Sequence, residues 1–203
     1  MKKYIATALA LLTVLCCFTA CQKNEDNGSS GDIKVIDFAT TKEHKETTTV
    51  KSDKNVTIKV PGVLVESQAG GNLQQYAATY GYKITKEPDG TISMNMDGIT
   101  YSLMLSGIGM EVMMSLGEIV DGNDYPYAVR LQDYSDDFSY ILMKVDSDIY
   151  KKDKSNSYED LAFMIGQFGL YYQYFTIDKD NKCEVILADS KTGEVVYSKV
   201  YTE

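Results

Sequence analysis

The chain predicts an α+β fold, a mainly antiparallel sheet of hairpins with about three helices packed on it. Two observations carry the prediction. Paired stretches of alternating apolar and polar residues flank turn-forming clusters at 87–90, 135–137 and 189–193. Between these pairs lie runs with apolar residues at helical spacing, and hairpins joined by helices read as the order β-α-ββ-α-ββ-α-ββ.

Taken in order, Val56, Ile58 and Val60 alternate with Thr57 and Lys59, and Pro61 closes a half-buried strand. Asn72 then caps a helix over 73–80, with Leu73, Tyr76, Ala77 and Tyr80 on one face and Gly81 as its stop. Residues 82–86 and 91–96 form a hairpin around Glu87-Pro88-Asp89-Gly90, because Pro presets φ and Gly tolerates positive φ. The stretch 97–120 admits two readings: a second hairpin turn at Asp97-Gly98, or a long helix capped by Asp97. The helix is preferred for its Met-rich composition and its length without another turn signal, with Ile99, Leu103, Met110, Met113 and Val120 as its stripe.

Residues 125–134 and 138–146 make a further strand pair. Ser157 and Asp160 then stand in capping-box positions ahead of a helix carrying Leu161, Met164, Ile165, Phe168, Tyr171, Tyr172 and Phe175. Residues 182–188 and 194–201 close the chain as a hairpin. These elements place one α+β domain over residues 50–203, a length that suits a single core.

The first 21 residues have a different character. Lys2 and Lys3 precede an apolar run over 5–18, and Phe18-Thr19-Ala20-Cys21 ends it with small residues ahead of a cysteine. A positive start, a short apolar core and a small-residue cleavage site are the parts of a secretory signal, and the run is too short for a membrane span of about 20 residues. With cysteine directly after the small pair, the segment resembles a bacterial lipoprotein signal, which implies lipidation of Cys21 and removal of residues 1–20. The expected location is extracytoplasmic, lipid-anchored to the cell membrane, or to the outer membrane of a cell that has two, since Gln22 is not the aspartate that retains many lipoproteins on an inner membrane.

Residues 21–49 then read as the lipidated cysteine and a flexible tether, for 22–32 contain no apolar side chain. Within it, 33–38 (Ile-Lys-Val-Ile-Asp-Phe) is an apolar island, either an added edge strand or a docking segment.

The domain is similar to small Gram-positive lipoproteins of uncharacterised function. Val56-Thr57-Ile58 before a turn, Tyr80-Gly81-Tyr82 leading to Asp89-Gly90, the aromatic helix through Gly166 and Gly169, and Thr192-Gly193-Glu194-Val195 carry the resemblance. It implies no activity.

Composition excludes several classes. Without residues 1–20 the chain has 18 basic and 29 acidic residues, a balance of −11, which disfavours nucleic acid. Its one histidine, His44, sits in the tether, so a Ser-His or Cys-His mechanism has no base on a rigid scaffold. Cys183, in an alternating strand, reads as a buried hydrophobe. Asp178, Asp180 and Asn181 begin like a calcium loop, but Cys183 stands where the glycine belongs and Asp189 where the glutamate belongs. No catalytic residue, metal site or cofactor is therefore expected, and a non-enzymatic binding or interaction domain is the leading reading. A carboxylate-dependent hydrolase and a passive surface module are the alternatives. The expected partners are the membrane through Cys21 and either an envelope protein or a small ligand. The aromatic helix is packed chiefly as core, and its Tyr171, Tyr172 and Tyr174 are the candidate binding residues, because tyrosine is enriched at recognition surfaces.

Overall fold

The computed structural model describes residues 34–39, 54–70, 72–152, 156–177 and 181–202. The α+β expectation holds, with the strands in the expected order but divided over two sheets, one in each of two compact units.

The first unit contains β1 (Asn55–Pro61), α1 (Gly62–Gln68), α2 (Leu73–Tyr80), β2 (Lys83–Lys86) and β3 (Thr91–Asp97), in an antiparallel sheet of order β1-β3-β2. Alternation dictates its core: Val56, Ile58 and Val60 stand opposite Met96, Met94 and Ile92, and all six are buried. Asn72 caps α2 by accepting the Gln75 N–H at 3.0 Å, and Gly81 ends it at φ 76, a left-handed conformation that costs glycine little. The expected inner face of α2 is only partly correct. Ala77 is buried, but Tyr80 is exposed and stacks on Tyr82 with ring centroids 5.8 Å apart. The turn residues 87–90 behave as read, with Asp89 accepting from Thr91 N–H at 2.9 Å and Thr91 Oγ1 at 2.7 Å.

Residues 97–120 are not a hairpin. They form α3 (Gly98–Asp121), capped by Asp97, which accepts the Thr100 N–H at 2.8 Å. The expected stripe is wrong, however. The buried stripe is Tyr101, Leu105, Ile108, Val112, Leu116 and Ile119, whereas Ile99, Leu103 and Met110 are exposed. Apolar residues occupy both faces of this helix, so periodicity could not choose between them. Its first half belongs to the first unit and the second half, from Met110, to the second. Residues 174–177 also join the first unit, where the Ile177 N–H donates to Tyr101 Oη at 3.1 Å.

The second unit holds β4 (Ala128–Tyr134), β5 (Tyr140–Val145), α4 (Ser147–Lys152), α5 (Tyr158–Gln173), β6 (Lys182–Asp189) and β7 (Val195–Thr202), with sheet order β4-β5-β6-β7. Its two outer pairings are antiparallel hairpins, but β5 and β6 run parallel. A parallel pair needs a crossover of a dozen or more residues, which α4 and α5 supply. The capping box forms as read: Asp160 N–H donates to Ser157 Oγ at 3.1 Å and Ser157 N–H to Asp160 Oδ2 at 3.0 Å.

Two glycines let α5 lie close on the strands. A Cβ on Gly166 would enter the Tyr201 ring, and one on Gly169 would stand 2.5 Å from Cys183 Sγ and 2.6 Å from the Phe138 carbonyl oxygen. On the sheet, Ile36 and Phe38 pack against Tyr140, Leu142 and Ala188, and Lys144 Nζ lies 3.9 Å from the Phe38 ring centroid. Ile36 N–H donates to the Gly193 carbonyl at 2.8 Å, and Val35 bridges Glu194. The apolar island of the tether is thus a docked segment making one bridge at the edge of the sheet.

Gly169→Ala is expected to destabilise the protein by about 1–3 kcal/mol, since its new methyl meets backbone as well as sulfur. A lowered urea midpoint with an unchanged slope would verify this; an unchanged midpoint would refute the close approach.

Candidate functional site

In the second unit a cleft of about 380 Å³ opens between α4, the start of α5 and the turn between β6 and β7, lined among others by Tyr150, Tyr158, Asp148, Asp189, Lys191 and Glu194. Local sequence builds each wall. Asp146 follows β5 and caps α4, accepting the N–H groups of Asp148 at 2.9 Å and Ile149 at 3.0 Å, which orients Asp148 and Tyr150. Tyr158 opens α5 directly after the Ser157 cap and stacks on Tyr150, centroids 3.7 Å apart. Beneath the pair, the buried Tyr127 presents ring edges to both at 5.1 and 5.3 Å. Its hydroxyl lies 3.0 and 2.8 Å from the carbonyl oxygens of Asn156 and Ser157, so the aromatic wall is fixed from below.

Asp189 forms the floor. Burial pushes its carboxyl up, but donation from Ser147, Thr192 and Lys191 more than offsets this and holds it well below the usual carboxylate range. Its Oδ1 accepts Lys191 N–H at 3.0 Å and Thr192 N–H at 2.9 Å, and its Oδ2 the Ser147 N–H at 3.2 Å. Asp146 is lowered as well, first by the Ile149 N–H and further by Lys191. Lys191 Nζ bridges Asp148 at 2.8 Å and Asp146 at 3.3 Å, and bonding to Asp148 above all raises its own pKa. Asp146 and Asp189 are therefore ionised at neutral pH, and neither is a proton donor there. They set hydrogen-bond acceptors beside an aromatic wall, a chemistry complementary to polar groups.

The residues singled out from sequence lie elsewhere. Tyr171 and Tyr172 in the second unit are 1% and 6% exposed, and Tyr174 in the first unit is 5% exposed. Their side chains are core, and a partner does not reach them. The helix is apolar around most of its circumference because most of its surface is covered: eleven of its residues are buried, Gln167 and Gln173 included, while Glu159 and Asp160 in its first turn are exposed. Cys183 is a free, buried thiol whose pKa is pushed up first by burial and then by Asp137 and Glu184, an unreactive state. Cys21, His44, Asp178 and Asp180 lie outside the described residues. Among the described residues no group of three or more His, Cys, Asp or Glu side chains is placed to hold a metal ion.

Sequence reasoning missed the cleft. Asp189 to Gly193 was legible as a turn, but nothing in its spacing brings it to Tyr150 and Tyr158, and α4 is too short to show a period. No family model matches this chain, nor does any curated protein or solved structure.

Because its folded pKa is lowered, Asp189 contributes stability that is present above its unfolded value of about 3.9 and is lost as pH falls below it. Asp189→Ala is expected to cost about 1–3 kcal/mol at pH 7, by leaving the donors of Ser147, Lys191 and Thr192 without their acceptor. Urea titrations should show this gap narrowing below about pH 4; a gap independent of pH would refute the ionised floor.

Proposed function

We propose that this chain is a lipid-anchored extracytoplasmic binding protein, held to the membrane through Cys21, that takes a small polar ligand in the cleft of its second unit without chemical turnover. The anchor rests on the pattern of Lys2, Lys3, the apolar run 5–18 and Phe18-Thr19-Ala20-Cys21. Two acyl chains on one cysteine give stable attachment where one gives only marginal binding.

The observation that carries the binding reading is the fixed wall and floor of the cleft: Tyr150 and Tyr158 buttressed by Tyr127, over a buried Asp189. Pre-organised walls reduce the ordering cost of binding. A hydrolase working through two carboxylates needs one that keeps its proton, and Asp146 and Asp189 are both shifted the other way. That favours binding over hydrolysis.

Two measurements test this reading. The mass of the Cys21 peptide from native membranes should exceed the unmodified value by a diacylglyceryl group or more, and Cys21→Ser should abolish the increase and release the protein from membranes; an unmodified cysteine defeats the anchor. Native mass spectrometry of the protein extracted from its own envelope should show a small molecule whose occupancy falls at least about tenfold in Tyr158→Ala, the loss of roughly one aromatic contact and its packing. An extract with no bound small molecule, or one unaffected by Tyr158→Ala, defeats the cleft.

A further inference from the structure

Helix α3 carries an apolar face that the fold leaves in water. Ile99, Leu103, Met110 and Met114 are 59%, 70%, 61% and 49% exposed. At 100° per residue they fall on one side of the helix, opposite Tyr101, Leu105, Ile108, Val112, Leu116 and Ile119, which are buried. Ser106 and Gly107 share the exposed side, and residues 98–110 include no charged side chain. Among the described residues this is the helix long and apolar enough to meet the length and composition of a membrane span, yet its other face is committed to protein. A helix with one face in protein and the opposite face apolar suits the boundary of a bilayer, lying in its plane.

We infer that α3 rests on the membrane, with Ile99, Leu103, Met110 and Met114 in the headgroup and acyl boundary. The inference rests on the anchor at Cys21. Twelve residues, 22–33, separate that cysteine from Lys34, the first described residue of the docked segment. At about 3.3–3.6 Å per residue the thirteen steps from Cys21 to Lys34 reach at most about 45 Å, so the docked segment is held within that distance of the lipid. The same count distinguishes the bilayer from a second copy of the chain, because the bilayer is present at every moment at that short range. Charge selects the kind of lipid. The helix contains no Lys or Arg and carries Glu111, Glu118 and Asp121, all in its second half, so it suits zwitterionic headgroups and is repelled by an anionic surface.

The test uses the full lipidated chain in phosphatidylcholine vesicles, with a spin label on Leu103→Cys, on Met110→Cys and, as an exposed control, on Thr85→Cys. Cys183 is buried and does not compete for label. The ratio of oxygen to water-soluble nickel chelate accessibility should rise at least about threefold at 103 and 110 on reconstitution and stay flat at 85. Labels at 103 and 110 that remain open to the chelate overturn the inference while leaving the anchor standing. Shielding that appears equally without lipid and grows with protein concentration assigns the face to a second copy and overturns it too. If the Cys21 peptide carries no lipid the anchor has failed, and the unlipidated chain then decides the helix by vesicle flotation. There Leu103→Asp with Met110→Asp should lower binding at least about tenfold, and binding unaffected by the pair overturns the contact.

Discussion

The second unit depends on how closely α5 can approach its sheet. Gly166 and Gly169 present bare backbone where the Tyr201 ring, Cys183 Sγ and the Phe138 carbonyl arrive, so strand side chains pack directly on the helix backbone. That contact fixes β6 and β7 as a pair, and the turn joining them delivers Asp189. It also fixes the first turn of α5, where the capping box leaves Tyr158 facing Tyr150. Packing far from the cleft therefore sets its dimensions, since close-packed interiors transmit displacement instead of absorbing it.

The electrostatics of the cleft follow from the same geometry. An ionised carboxylate is costly to bury unless donors surround it, and Asp189 accepts from the Lys191 and Thr192 N–H groups of its own turn and from the Ser147 N–H at the start of α4. Lys191 is held between Asp146 and Asp148, which keeps its charge beside the cleft without closing it. A rigid aromatic wall and a fixed negative floor are positioned before any ligand arrives.

Local signals were legible in the sequence wherever a few adjacent residues decide the outcome. Asn72 and Gly81 bound α2, Ser157 with Asp160 starts α5, and Asp89 closes the first hairpin, each through contacts within four residues. Non-local choices were not legible. Nothing in 140–145 or 182–189 announces parallel pairing, because an apolar run and an alternating strand are each compatible with either direction. The buried face of α3 escaped for a related reason: with Ile, Leu and Met on both sides, hydrophobicity alone does not say which side meets protein. Tyr171 and Tyr172 at the end of α5, with Tyr174 just beyond it, illustrate the converse, a dense aromatic run whose side chains are buried. The cleft residues come from three separate segments, and only the crossover between β5 and β6 joins them.

The bridge between Val35 and Glu194 ties almost the first described residue to almost the last. A contact so distant along the chain is entropically slow to close and raises the contact order of the unit. Chains emerge from synthesis N-terminus first, so the segment 34–38 must wait for β7 before it can dock, and the parallel strand β6 must wait for α5. The second unit is therefore completed as a whole, after nearly all of the chain is available, and its assembly is timed by its final hairpin.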